Sequence, residues 1–422
     1  MKMINWICRG AKEAVAKNGI RKGAVTIASK ILYRFTTGLV AQVYRVIKLP
    51  IQDNLIVFES NPDFSDNARV LFNYMCSNGY NKKYKLCFFV ANPEKYKEYE
   101  GENVFFVRNK GKRSGCRTLK FYYYSYTAKI LFFTHSFNWF HKYNKNNQLF
   151  IDLWHGCGYK AAKGNSKQIY FNYLLVPAKI FKKTKAEFFD CSEDKLIDLG
   201  YPRYDLLNKK KDVRKPFFDS LHVPYDGRKI IMWMPTYRKS YRATLSEGTL
   251  DSPFDLPLMY SYDDLLELDE CCRKNNVLLI IKKHYLEQEM PIDKGCIRNI
   301  LFIENEQLEQ CEIQLYELLN NVDALITDYS SVAIDFLLTS KPIGFTLDDY
   351  EQYKDSRGFV FEDPLQYMPG MHMVEKNQLY EFIQDVSIGK DEYREERAKV
   401  LQETHNVTDN YCKRILEYFD IK

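Results

Sequence analysis

Five short polar clusters in this 422-residue chain carry side chains able to do chemistry, and each follows an apolar run of strand length. His155 stands between Trp154 and Gly156, with Gly158 close behind. A histidine there is a candidate general base near neutral pH, and the glycines let backbone approach a ligand. The competing reading is a structural histidine bonded to a backbone carbonyl. Pro235-Thr236-Tyr237-Arg238 follows the run 229–234, so Arg238 is either a phosphate clamp or a surface arginine. Lys282-Lys283-His284 closes the run 277–281 and sets three potential cations at one strand end, with a solvated basic edge as the alternative. Asp328-Tyr329-Ser330-Ser331 joins a buried strand, 324–327, to an apolar helix, 332–339. There the hydroxyls and the free N–H groups of a first helical turn make an anion site, unless Ser330 acts only as an N-cap. Arg357-Gly358 lies in a loop after the strand 342–345. Cations and a helix start in one cleft suit a phosphorylated or nucleotide substrate.

The elements that must position these clusters alternate along most of the chain. Strands are expected at 55–59, 84–90, 104–107, 129–134, 148–153, 173–176 and 196–199, with helices at 66–77 and 119–126. A polar stretch broken by Pro216, Pro224 and Gly227 follows and reads as an interdomain connection. A second set comprises strands 229–234, 277–282, 300–303, 324–327 and 342–345, a helix at 262–274, and closing helices at 376–386, 391–402 and 407–419. Two such sets predict two doubly wound Rossmann-type α/β domains facing across a cleft, with ligands outside the carboxyl ends of the strands. The division expected is an arm at 1–50, a first domain at 51–210, a linker at 211–228 and a second domain at 229–422.

Composition narrows the class. A chain 45% hydrophobic and 27% charged is that of a soluble globular protein. Its 11 cysteines show no CxxC spacing, which fits a reducing compartment. No apolar run reaches the length of a membrane span, and no signal peptide is apparent. Residues 1–48 carry +9 against −3 for the remainder, with basic positions interleaved by Trp6, Ile7, Ile31, Phe35, Leu39 and Val40. That pattern predicts a basic amphipathic arm lying on an anionic membrane surface, in preference to a solvated arm or a nucleic-acid contact. There is no GxGxxG or GxxxxGK[ST] loop, and no HExxH or Cys/His cluster, so neither a cofactor nor a metal is expected.

Taken together, LWHGCGYK (153–160), GYPRYDLL (200–207), MPTYR (234–238), KKH (282–284), LITDYSS (325–331) and RGF (357–359) resemble the CDP-glycerol glycerophosphotransferase family, the teichoic-acid polymerases and primases. SNPDFSDNARVLFNYM (60–75) is similar to that family's first block. The blocks occur in order over about residues 55 to 420. Two positions depart from the family pattern: Cys157-Gly158-Tyr159 replaces the Thr-Pro-Leu of WHGTPLK, and Tyr285 replaces the proline of KxHP. The resemblance implies a GT-B fold, a CDP-alditol donor, and transfer of glycerol or ribitol phosphate to a hydroxyl of a lipid-linked or glycan acceptor with release of CMP. It implies a bacterial enzyme peripheral to the cytoplasmic face of the membrane. It makes His155 the base, with His284, Arg238, Lys283, the N–H groups after Asp328, Ser330, Ser331 and Arg357 around the donor phosphates. Gly156 serves by lacking a side chain. Arg357 is preferred to Lys283 as a phosphate contact because a planar fork binds two oxygens. The alternative is a sugar-nucleotide glycosyltransferase of the same fold in cell-surface glycan synthesis, and a third reading is a non-catalytic membrane-docked scaffold.

Overall fold

The computed structural model describes residues 49–111, 116–135, 147–161, 170–236, 252–282 and 297–422, with scattered positions between 35 and 47. Arg238, Lys283 and His284 lie outside the described residues, as do residues 1–34 of the basic arm.

The first sheet has seven strands: β1 (Gln52–Glu59), β2 (Lys85–Val90), β3 (Val104–Arg108), β4 (Ala128–Phe133), β5 (Leu149–Asp152), β6 (Tyr173–Leu175) and β7 (Leu196–Ile197). All pair in parallel, in the order β3-β2-β1-β4-β5-β6-β7. A parallel sheet is covered on both faces, so its strands read as continuous apolar runs. Leu55, Ile56, Val57 and Phe58 of β1 are accordingly all inaccessible to solvent. The helix Asp66–Ser77 covers one face with Ala68, Leu71, Phe72 and Met75, at helical spacing, and ends at Asn78 before a left-handed Gly79. Phe72 meets Phe58 edge-on at 5.4 Å and Phe88 at 5.4 Å, which ties helix to sheet through aromatic contacts.

The second sheet is also parallel: β8 (Lys229–Trp233), β9 (Val277–Lys282), β10 (Ile300–Ile303), β11 (Ala324–Thr327), β12 (Ile343–Thr346) and β13 (Met371–Met373), in the order β10-β9-β8-β11-β12-β13. Helix Tyr262–Lys274 starts at a reciprocal cap, Ser261 accepting from Asp264 N–H while the Asp264 carboxylate accepts at the Ser261 backbone. Strand order reverses between β1 and β4 in the first sheet and between β8 and β11 in the second. Ligand crevices form at such switch points, and here the two open toward each other.

Three features differ from the sequence reading. The expected linker contains a helix, Arg214–Ser220, because Phe217 and Phe218 bury themselves fully. Strand β13 was not expected, being only three residues long. The last helix, Tyr411–Tyr418, packs on the first domain and not the second: the Asp205 carboxylate caps it, accepting from Tyr411 N–H and Cys412 N–H at 2.9 Å each. Gly200 leaves room for it, since a Cβ there would sit 2.6 Å from the Tyr411 ring. One apolar core runs through the first domain into the inner side of the second sheet, while a smaller one fills that sheet's far face. The two domains therefore share a core and do not merely touch.

Candidate active site

Between the switch points lies a cleft of about 1020 Å³, lined by both domains. His155, Gly156, Ser330, Ser331 and Arg357, expected from sequence, all border it. So do Thr236 and Lys282, the last described residues before Arg238 and Lys283.

The His155 loop is held tightly. Trp154 takes a left-handed backbone (φ 52°), uncommon for a bulky residue, and Gly156 follows at φ 138°. Asp152 accepts from Trp154 N–H at 2.8 Å, and the indole N–H donates to the Gly156 carbonyl at 2.7 Å. From the helix Asp66–Ser77, the Asn67 amide donates to the carbonyls of Leu153 and Trp154 at 3.3 and 2.8 Å. These bonds turn His155 into the cleft. Its Nδ1 lies 3.2 Å from the Thr134 carbonyl, which makes Nδ1 the protonated nitrogen and leaves Nε2 a lone pair. The ring stacks on His135 at 4.6 Å and 12°. Although the imidazole is exposed on its cleft side, the depth of the setting desolvates it, and neighbouring His135, Lys185 and Arg203 add positive charge. Both effects hold its pKa well below the ordinary imidazole range, so the ring is neutral at physiological pH.

Across the cleft, Ser331 is itself helical (φ −60°) and makes no side-chain cap for the helix Val332–Phe336. Neither Ser330 nor Ser331 engages its hydroxyl with another described residue, so the alternative capping role is absent and both hydroxyls are available to a ligand. The expected helix 332–339 tightens into a 3₁₀ turn at Leu337–Thr339. Asp328 has a structural task of its own. Its side chain is fully buried, and both carboxylate oxygens accept from Thr236 N–H at 2.9 Å. These bonds tie the end of β11 to the residues that follow β8, and the backbone N–H groups after Asp328 are the part of this turn expected at the phosphates. Gly156 also has a more specific role than expected: a Cβ there would lie 2.7 Å from the Ser331 hydroxyl, and one on Gly158 2.7 Å from the Ser331 Cα. The glycines allow the two domains to meet beside His155.

Sequence reasoning missed the group that joins them. Arg203 is buried, and its guanidinium donates to Asp66 at 2.9 Å, to Asp335 at 2.7 Å and to the His155 carbonyl at 3.2 Å. It also lies 4.5 Å over the Tyr316 ring. Asp335 additionally accepts from the hydroxyls of Tyr204 and Tyr316. Burial pushes the Asp335 carboxyl up, against the opposing pull of Arg203 and the two hydroxyls. The signal was present in GYPRYDLL, where an arginine sits among aromatic residues at a strand end. Backbone also crosses the seam: Ala161 N–H donates to Gly358 O at 2.9 Å and Val360 N–H to Tyr159 O at 2.7 Å.

Among the described residues no group of three or more His, Cys, Asp or Glu is placed to hold a metal ion. The cleft can bind an anionic ligand on the second domain and offer it a neutral imidazole from the first.

Residues 41–418 match the model of a family described as CDP-glycerol:poly(glycerophosphate) glycerophosphotransferase. The chain is 27% identical to a teichoic acid poly(glycerol phosphate) polymerase of Bacillus spizizenii, over 79% of this chain and 85% of that protein. It is 24% identical to a teichoic acid glycerol-phosphate transferase of Staphylococcus aureus, over 86% and 91% respectively. In fold it is similar to the solved wall teichoic acid polymerase TagF, with a TM-score of 0.68 at 21% identity, covering 92% of this chain and 98% of that one. That likeness places the fold as GT-B-like.

Proposed function

Because the chain belongs to the CDP-glycerol:poly(glycerophosphate) glycerophosphotransferase family, we propose that it transfers an alditol phosphate from a CDP-alditol to a hydroxyl of a lipid-linked or glycan acceptor, in synthesis of a teichoic-acid-like or capsular polymer. The observation that carries this reading is a neutral His155 facing two uncommitted serine hydroxyls and Arg357 across one cleft. The acceptor oxygen attacks the phosphorus that bears the alditol. A new P–O bond forms, the bond to the bridging oxygen breaks, and its electron pair leaves with CMP. The acceptor proton passes to Nε2 of His155. Negative charge gathering on the phosphoryl and bridging oxygens is met by Arg357, Ser330 and Ser331, together with Arg238, Lys283 and His284. The donor's diphosphate, once bound, also makes the nearby imidazole more basic at the moment it is needed.

The reaction belongs at a membrane surface. Phe35, Leu39, Val43, Val46 and Ile47 recur at helical spacing and are all exposed, and they belong to the strongly basic 1–48 segment. No helix among the described residues is long and apolar enough to cross a membrane. Peripheral attachment to an anionic inner leaflet accounts for both facts.

Incubation with CDP-glycerol and CDP-ribitol beside a panel of nucleotide sugars tests the reaction. CMP should appear with a CDP-alditol and a hydroxyl acceptor. Release of a nucleoside diphosphate from a sugar nucleotide, with no CMP from any CDP-alditol, would move the protein to glycosyl transfer. His155→Ala should lose about 10²–10⁴-fold in turnover with donor affinity nearly intact, whereas His284→Ala should lose both.

A further inference from the structure

We propose that Lys185 forms an acceptor subsite, binding a phosphate that the acceptor carries next to its attacking hydroxyl; this rests on the phosphotransfer reading above. Lys185 belongs to the helix Lys182–Phe189, which packs behind the His155 loop. Its ammonium sits 5.1 Å from the Trp154 ring and 5.8 Å from the Phe188 ring. Trp154 in turn lies 4.0 Å from the His155 ring, and all four residues border the cleft.

Other cations of the same wall already have partners. Arg203 is held by Asp66 and Asp335, Lys95 pairs with Glu309 at 2.6 Å, and Arg69 donates to the Tyr99 hydroxyl at 3.2 Å. Lys185 makes no ion pair with any described carboxylate; the nearby Asp152 carboxyl, which its charge acts on, is buried and held by burial well above the ordinary carboxylate range. It is instead half-buried against aromatic faces, which fix the direction of the side chain without neutralising it.

Its side of the cleft identifies the ligand. Ser330, Ser331 and Arg357 are on the second domain and face the donor, while Lys185 is on the first, beside the group that takes the acceptor's proton. An anion at Lys185 is therefore the acceptor's own. Chemistry favours the same occupant. A lone cation beside a general base opposes protonation of that base, and a phosphate seated on the cation cancels the opposition. Acceptors bearing a phosphate would thus complete the site that consumes them, and a bare alcohol would not.

Two measurements on the full chain test this. In the first, calorimetry follows glycerol 3-phosphate binding with CMP present at saturation. Wild type should bind; Lys185→Gln should bind about tenfold to a hundredfold more weakly, the loss of one charged hydrogen bond, and Lys185→Arg should bind nearly as wild type. Equal binding by wild type and Lys185→Gln, or no binding by wild type, overturns the proposal. In the second, CMP release from CDP-glycerol is followed with an alkyl glycerol phosphate and with the matching alkyl glycerol. Lys185→Gln should raise KM by the same factor for the phosphorylated acceptor alone, with kcat held within about twofold. A KM raised equally for both acceptors would make Lys185 a residue that merely shapes the cleft. Absence of CMP release by wild type would refute the phosphotransfer reading, while the binding measurement would still decide the subsite.

Discussion

Replacing Arg203 by glutamine should separate the two domains energetically before it unfolds either. The side chain of Arg203 is 7% accessible and that of Asp335 1%, so the pair is dry, and removing its cation strands a buried carboxylate. One-sided loss of a buried pair costs about 3–5 kcal/mol. Hydroxyls of Tyr204 and Tyr316 remain on Asp335, which sets the expectation near the lower bound, about 3 kcal/mol. For a structural unit of this size that corresponds to a fall of about 6–12 °C in Tm. The deficit should also depend on pH in a definite direction. Asp335 already has a raised pKa from burial, and losing Arg203 raises it further. An acid whose folded pKa exceeds its unfolded value is unpenalised below the unfolded value, about 3.9, and costs stability as pH rises toward the folded one. The variant should therefore be closer to wild type at pH 5 than at pH 7.5. Adding Asp335→Asn to Arg203→Gln should remove the pH dependence. Thermal denaturation of wild type, Arg203→Gln and the double variant at both pH values is the assay. A Tm loss under about 2 °C, or a deficit that is the same at both pH values, would refute the account of this pair as a buried interdomain tie.

Other outcomes follow from the same geometry. Gly158→Ala puts a Cβ 2.7 Å from the Ser331 Cα, so the loops must separate; a cost of about 1–3 kcal/mol and a fall in kcat of tenfold or more are expected, and unchanged Tm and kcat would show that the seam yields. Because the pKa of His155 is depressed, the neutral base persists below the usual imidazole value of about 6.5; kcat/KM should stay level from pH 7.5 to below 6, and a descending limb centred at 6.5 or above would contradict the assignment. Deleting residues 1–48 should abolish sedimentation with anionic liposomes, and raised salt should weaken it in the intact chain; equal binding by the two proteins would end the membrane reading.

Most of the architecture was legible because parallel strands buried on both faces announce themselves as unbroken apolar runs. LIVF in β1, KIIMW in β8 and ALIT in β11 needed no context. Elements too short to show a period were not legible: β13, and the helices Lys182–Phe189, Asn305–Gln310, Leu315–Asn321 and Tyr350–Ser356. The site divided along similar lines. His155 was visible because glycines beside a histidine at a strand end are unusual. The bond from Thr236 N–H to the Asp328 carboxylate was not visible, since nothing local says where a strand-end carboxylate points. Arg203 and Asp335 are 132 residues apart, and no local pattern records a contact that forms only when the two domains close. Asn67 escaped for the same reason, being set in a helix whose apolar face alone explained its presence.

The departure from the family's WHGTPLK block has a structural consequence that locates it in the seam and not in the chemistry. Cys157 is buried beneath the Tyr201 hydroxyl, which donates to its sulfur at 3.2 Å. Tyr159 crosses into the second domain, where its hydroxyl donates to Tyr367 O at 2.8 Å and its ring packs on Phe345 and Phe361. Both side chains point away from the cleft, and Gly158 between them supplies the space that Ser331 fills. A proline at 158 would lack the N–H and bring ring atoms to a place where even one added carbon is too close. A leucine at 159 would have no hydroxyl to reach Tyr367. The three changes therefore belong together, as one alternative packing of the first domain against the second, and His155 keeps its carbonyl partner and its view of the cleft throughout.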